Sequence, residues 1–524
     1  MLIRPMTMND YDAVYQLWIN TPGMGLNDID DSYQGIERML TRNPTLSFVA
    51  ENEHKEVIGV IIAGEDGRRG YIYHTAVLPA YRNQGLGQAL VKNVLDQMTQ
   101  LSISKVGLFI FKGNQIGNGF WDKLGFTVRD DIHYRNYALT ELQRIDFDEV
   151  IDRSNTGSIK WHYEDDTIPL WVADMDFKTA KPILDSLQQV VDHGVLGYTK
   201  QTDALYQAII NWHSSRYGLS LTEEQILFSP GVVPSIALMV NLFTEVGDAV
   251  LINDPIYAPF VAKTKLNGCK AISSPLKEID GRYYFDLEDM EAKIKQHKVK
   301  LFLLCNPHNP GGRVWSEAEL KAVLDLCKKY QVAIVSDEIH QDLTLTGHTF
   351  TPFLKLAEGY EQMVVSLTSM TKTFNVAGIK GSLIFAKDKA LLKQISNQQR
   401  LNDENELNMF AYSVMRSAYE NGGSWLQQAL AYIEKNIDFT IDYLATHLPD
   451  MKVMRPEASY LVWLDCSAYA DDDKVLSDKL REAKVELNSG IQYGNEGHLK
   501  MRINVACPQS ILAEGLNRVK QALA

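Results

Sequence analysis

SLTSMTKTFNVAGIKG, residues 366–381, follows directly on the apolar run that begins at Met363. Residues 363–367, MVVSL, predict a short buried strand, and Lys372 stands just beyond its carboxyl end among Ser369, Thr371 and Thr373. A lysine so placed suits an amine that forms a Schiff base beside a phosphate. A solvated lysine in a polar loop has the same local sequence, so the reading depends on what other segments bring to the same end of a sheet.

Three further segments do so. Residues 244–248, TEVGD, form a turn before the strand AVLIND, and Tyr257 follows at its carboxyl end. Residues 300–305 predict another strand, followed by NPHNPGG with Asn309. Ser316 and Glu319 make a capping box for a helix with Leu320, Val323, Leu324 and Cys327 on one face, and the strand over 332–336 then delivers Asp337. This is a βαβ unit, and open parallel α/β sheets bind ligands at the carboxyl ends of their strands. Tyr257, Asn309, Asp337 and Lys372 all belong to that edge.

At 524 residues the chain exceeds what one hydrophobic core supports, so two or three domains are expected. Its 52 Lys and Arg against 66 Asp and Glu, a formal charge of −14, argue against a nucleic-acid partner. Five scattered cysteines without a CxxC pair suggest neither a disulfide framework nor a metal site. The N-terminus lacks the layout of a signal peptide, and no apolar run is long enough to span a membrane, which leads us to expect a cytoplasmic protein.

In the first 140 residues, strands are expected at 2–4, on either side of the charged turn ENEHKE, and at 70–78, with a helix starting at Asn9. AYRNQGLGQALVKNVLDQM then places Arg82, Gln84, Gly85 and Gly87 before a helix with Leu90, Val91, Val94, Leu95 and Met98 on its apolar side. Unpaired N–H groups at such a helix start cradle an anion, and glycines allow close approach. The strand KVGLFIF, Asn114 and a helix ending in GFWDKLGF follow. This order resembles the GNAT N-acetyltransferase family over residues 1–140. The resemblance implies acetyl-CoA with its pyrophosphate on the amides around Gln84 to Gly87, Arg82 assisting, and Asn114 beside it. The family often has a tyrosine as acid where this chain has Trp121, and an indole cannot fill that role. His133, Tyr134 or a water would substitute, or the module binds coenzyme A without efficient transfer.

Tyr134 to Leu139 alternates like a closing strand, and no Pro or Gly spacer follows, so the second module is expected to abut the first. Its phrase PLWVADMDF, with Trp171, Asp174, Asp176 and Phe177, and the phrases DEIH and TKTFNVAGIK, look like the MalY/PatB-like cystathionine β-lyase branch of fold-type I enzymes dependent on pyridoxal phosphate (PLP). The resemblance implies an α/β fold with a mostly parallel sheet in a large domain, about 190–430. A small α+β domain would take about 145–189 plus 431–524. It also implies roles. Lys372 would bind PLP covalently and act as the base at Cα. Asp337 would hold the pyridine nitrogen protonated, Asn309 would donate to the ring oxygen, and Tyr257 would stack on the ring. His340 stands where aminotransferases more often have tyrosine. Phosphate donors would be the amides of Gly231, Val232 and Val233 in SPGVVPS, with Ser369 and Lys380. Tyr198, in GVLGYTK, would reach the phosphate of a neighbouring subunit, implying a homodimer. Arg502, in KMRINVACP, would grip the substrate carboxylate, with Asp174 and Tyr257 also lining the substrate site. Tyr460 and Trp463 read as core aromatics.

The implied reaction is β-elimination of a thiol from a cysteine S-conjugate, yielding pyruvate and ammonia. An aminotransferase, or a PLP-binding regulator without turnover, would use the same residues.

Overall fold

The computed structural model describes residues 2–19, 21, 24, 26, 30–111, 114–129, 131–132, 145–163 and 165–524. The chain divides into two compact units, Met1–Leu142 and Gln143–Ala524.

In the first unit, strands β1 (Leu2–Pro5), β2 (Phe48–Glu51), β3 (Val57–Glu65), β4 (Gly70–Val77) and β5 (Val106–Leu108) form one sheet in that order. The pairs are antiparallel except β4 with β5. Alternation along β3 splits its side chains between two cores. Ile61 packs with Leu86, Leu90 and Val94 of α3 (Leu86–Gln100), while Val60 and Ile62 pack with Val14, Trp18 and Ile36 of α1 (Tyr11–Ile19) and α2 (Tyr33–Arg42). The α2 helix was not expected from the sequence; Ser32 caps it by accepting a hydrogen bond from Gly35 N. The expected strand at 134–139, with His133 and Tyr134, lies outside the described residues.

The second unit is built on a seven-stranded sheet. Its order is Ile226–Ser229, Ser382–Phe385, Val364–Thr368, Ala333–Asp337, Leu301–Cys305, Ala249–Ile252 and Lys270–Ser273. Only Ser382–Phe385 runs against its neighbours; the remaining pairs are parallel. Both faces are covered, which is why these strands read as continuous apolar runs. Phe302, Leu304 and Ile334 belong to one core and Leu301, Leu303 and Val335 to the other. A four-stranded antiparallel sheet, Lys452–Met454, Leu461–Asp465, Lys500–Asn504 and Asn488–Ser489, completes the unit with the short parallel pair Ile168–Pro169 and Val485–Glu486. Among the described residues no helix is long and apolar enough to cross a membrane.

Candidate active site

The sheet's carboxyl edge gathers the residues singled out from the sequence. Asp337 ends Ala333–Asp337, and Lys372 lies on the single helical turn Met370–Thr373 that follows Val364–Thr368. Ser369 caps that turn, accepting from Thr371 N at 3.1 Å and donating to Gly381 O at 2.6 Å. Burial drives the ionisation of both partners toward neutrality. It pushes the Asp337 carboxyl up to about 7, against a hydrogen bond from Ile339 N and the attraction of Lys372. Burial, then Arg502, pushes the Lys372 amine down to about 8, against the attraction of Asp174 and Asp337. A neutral amine is the form that attacks a carbonyl. Covalent capture of added pyridoxal phosphate by cofactor-free protein should therefore reach half its maximal rate near pH 8, not near the ordinary lysine value of 10.5. Stopped-flow absorbance across pH 6 to 10 checks this.

Lys372 Nζ donates to the carbonyl of Ala173, and Tyr460 OH donates to the same oxygen at 3.0 Å. Segment 171–177 is thus drawn into the site by its backbone. Asn504 Nδ2 donates to Val172 O and Asp174 O at 2.7 and 2.6 Å, Arg502 Nη2 to Trp171 O at 2.9 Å, and Asn375 Nδ2 to Met175 O and Phe177 O at 2.9 Å. Asn375 adopts φ +56°, a left-handed conformation that asparagine tolerates well. Arg502 is buried, its Nη1 donates to Asn309 Oδ1 at 3.1 Å, and its guanidinium lies 5.2 Å from the Tyr493 ring centre. Burial, then the nearby Asp337, pushes the Tyr257 hydroxyl above its ordinary pKa, against the pull of Arg502. His340 is buried, and desolvation with the nearby Lys372 and Arg502 lowers its pKa to about 3, so it is neutral.

Other expected residues stand differently. The Asp174 carboxylate is paired with Arg153 at 2.7 Å, with Lys160 Nζ at 3.7 Å, so its side chain serves the segment's anchoring. Gly231 precedes the helix Val232–Phe243, whose first turn includes Val233. Lys380 is exposed, at φ +54°. Tyr198 is fully exposed in the uniformly exposed run 191–200, beside a groove of about 440 Å³ lined also by His193 and Met409.

Sequence reasoning missed Tyr460 as a site residue, along with Asn504, Asn375, Arg153 and Lys160. Lys160 is fully buried, its Nζ donating to Asp176 Oδ2 at 2.7 Å and to Asp174 O at 3.2 Å, while Arg153 and Trp161 Nε1 also bind Asp176. Lys160→Met should cost about 3 kcal/mol in urea unfolding, because removing one member of a buried ion pair strands the other's charge.

In the first unit, Gly85 caps α3 at φ +80°, a backbone that glycine supplies without strain. Gly87 packs on Phe120, where an added Cβ would come within 3.2 Å of the ring. Arg82 Nε donates to Val77 O at 2.9 Å and Gln84 Nε2 to Ala80 O at 3.0 Å, fixing the loop before the helix. Asn114 caps α4 (Gln115–Lys123), its Oδ1 accepting from Gly117 N at 2.9 Å. Trp121 packs edge-on between Phe120 and Phe126, both at 5.0 Å, as a core aromatic.

The fold and strand-end constellation define a class in which a carboxylate and a lysine follow neighbouring parallel strands, and comparison with known proteins agrees. Residues 165–519 match the family "Aminotransferase class I and II", and residues 11–126 match "Acetyltransferase (GNAT) family". The cystathionine beta-lyase PatB of Bacillus subtilis (strain 168) is 41% identical over 387 residues, covering 72% of this chain and 100% of that protein. Two solved structures share the fold over 72% of this chain and 98% of their own: cystalysin of Treponema denticola, containing a pyridoxal 5'-phosphate cofactor (32% identity, TM-score 0.70), and the PLP-bound C–S lyase of Staphylococcus hominis (33%, 0.68). The chain belongs to the class I and II aminotransferase family, in its PLP-dependent C–S (cystathionine β-) lyase branch, preceded by a GNAT-family domain.

The residues fit that cofactor. Asp337 offers a buried carboxylate, Lys372 a partly neutral amine, and the Val232–Phe243 helix start offers N–H donors for a phosphate, while the one proton of the Ser369 hydroxyl goes to Gly381 O. His340 Nδ1 and Arg502 Nε are buried without a hydrogen-bond partner among the described residues, so polar groups remain to be satisfied by what binds there.

Proposed function

We propose that residues 143–524 cleave the C–S bond of cystathionine or a related cysteine S-conjugate, releasing a thiol, pyruvate and ammonia. The observation that carries this is a partly neutral Lys372 and a buried Asp337 following neighbouring parallel strands, in a chain 41% identical to a cystathionine β-lyase. When bound, PLP supplies an electron sink for the bond electrons at Cα. Asp337 would hold the pyridine nitrogen protonated, Asn309 would donate to the ring oxygen, and Tyr257 would stack on the ring. Arg502, held by Asn309 and Trp171 O, presents its remaining edge to the substrate carboxylate. Lys372 Nζ takes the Cα proton while Ala173 O orients it. The β-thiolate then leaves. His340, kept neutral, adds no second positive charge beside Lys372.

The division into a large portion, about 190–430, and a small one carrying Arg502 places cofactor and carboxylate grips on different sheets. The exposed Tyr198 belongs to a homodimer in which each copy reaches the partner's phosphate, with Lys380 and the amides of Gly231 to Val233 on the other side. A cytoplasmic setting suits the five buried free cysteines. Purified protein given L-cystathionine should release pyruvate and thiol without any added 2-oxo acid; release that requires one would contradict this reading.

The GNAT domain is proposed to bind acetyl-CoA at Arg82, Gln84, Gly85 and Gly87 and to acetylate an amine. The α3 N-terminus with its left-handed Gly85 supports this. Isothermal titration with acetyl-CoA, lost on Gly87→Trp, tests the binding.

A further inference from the structure

The single helical turn that carries Lys372 is held on both sides. On the near side Ser369 donates to Gly381 O at 2.6 Å. On the far side Thr373, fully buried, donates from Oγ1 to Asp342 Oδ2 at 2.9 Å. Asp342 stands on the short turn Gln341–Leu343, which opens on His340 shortly after Asp337. The strands ending at Asp337 and Thr368 are paired as far as Asp337 and Leu367, and Thr368 Oγ1 donates to Glu338 O at 3.4 Å where they end. Past that point the Thr373–Asp342 bond joins the segment carrying the carboxylate to the turn carrying the amine.

The Asp342 carboxylate is itself fixed from another element. Trp212 Nε1 donates to Oδ1 at 2.9 Å, and Tyr217 OH donates to the same oxygen, both from the helix Asp203–Tyr217. Arg216 Nε lies 3.7 Å from Oδ1, and its guanidinium sits 4.6 Å over the Trp212 ring. The Asp342 side chain is wholly out of solvent. Burying a carboxylate carries a large desolvation penalty that its partners must offset, whereas a neutral amide would accept from Thr373 without it. What the charge adds is strong, directional bonds, so the acceptor that Thr373 meets is held in one place. Trp212 also packs edge-on against Phe374 at 5.7 Å, so one indole fixes both Asp342 and the residue after Thr373.

We infer that Asp342, acting through Thr373, is a positioning residue that sets where the Lys372 amine stands relative to Asp337 and to the substrate Cα. This rests on the PLP site proposed above. The step it serves moves one proton: the Cα–H bond breaks, its electron pair is drawn toward the bound cofactor, and Lys372 Nζ takes the proton. Misplacing a reacting group by about 1 Å costs up to about 100-fold.

The test compares Thr373→Val, which removes the hydroxyl at nearly constant volume, with Thr373→Ser, which keeps it. Cofactor-free protein given PLP reports covalent capture by stopped-flow absorbance, without any turnover. Loaded protein given L-alanine in D2O reports exchange of the Cα hydrogen by proton NMR, and alanine has no leaving group, so C–S cleavage is not required. Thr373→Val should slow exchange about 10- to 100-fold and capture about tenfold, while Thr373→Ser stays within about threefold of wild type in both. Tyr217→Phe loosens Asp342 without touching Thr373; it should slow exchange about 3- to 10-fold, and should add nothing further in the Thr373→Val background. Tyr217→Phe alone carries the test if Thr373→Val does not fold. Exchange and capture unchanged in folded Thr373→Val, a loss that Thr373→Ser shares, or losses that add in the double variant would overturn the inference. Wild-type protein that exchanges the alanine Cα hydrogen yet releases no thiol from L-cystathionine would overturn the lyase reading and leave the positioning role standing. Wild-type protein that captures PLP but exchanges nothing would overturn Lys372 as the base, and the inference with it.

Discussion

Lys372→Ala is expected to lower thiol release from L-cystathionine by about four orders of magnitude and to erase the visible absorption band of lysine-bound cofactor. The loss is large because one nitrogen holds the cofactor and then moves the Cα proton, and general-base removal alone costs up to about 10⁴-fold. The fold should survive. Tyr460 OH still donates to Ala173 O at 3.0 Å when Lys372 Nζ is gone, so no buried carbonyl is stranded. Asp337 is pulled down by Lys372 at present, and its carboxyl should rise further without that charge. A urea midpoint near wild type with activity at background separates a chemical from a structural role. A variant retaining the band would place the attachment at another amine.

Arg502→Ala should lower kcat/KM for cystathionine by about 100- to 1,000-fold, corresponding to about 3–4 kcal/mol, the range for truncating a buried, hydrogen-bonded charge partner. Arg502 is preorganised: Asn309 Oδ1 and Trp171 O occupy two of its N–H groups and the Tyr493 ring backs its plane. Its planar fork matches a carboxylate in two parallel hydrogen bonds, so Arg502→Lys should recover less than a tenth of the loss. The absorption band should persist in both variants, because the arginine acts on substrate rather than on cofactor attachment. A fall confined to kcat with KM unchanged would remove Arg502 from carboxylate binding.

Lys372, Asp337, Asn309 and Tyr257 were legible because each follows an apolar strand, and strand ends in a parallel sheet converge by topology alone. Arg502 was legible through its family phrase, and it does lie on Lys500–Asn504 beside Trp171 O and Asn309. What escaped is the scaffold around Ala173. Its carbonyl carries no residue-type signature, and the groups that grip segment 171–177 come from Asn375, Tyr460, Arg502 and Asn504, some 200 to 330 positions away. Lys160 sat in a polar stretch that reads as solvated loop, yet it is fully buried against Asp176. Asp174, expected at the substrate, turns its carboxylate to Arg153, a partner that no local spacing announces.

The central claim, that this site eliminates rather than transaminates, is tested by the product partition with L-cystathionine in the absence of a 2-oxo acid. The account predicts thiol and pyruvate in equal amounts, formed over many turnovers, with the absorption band of the lysine-bound cofactor restored after each. A single turnover that stops with the cofactor in its amine form, and resumes only when a 2-oxo acid is added, would contradict it.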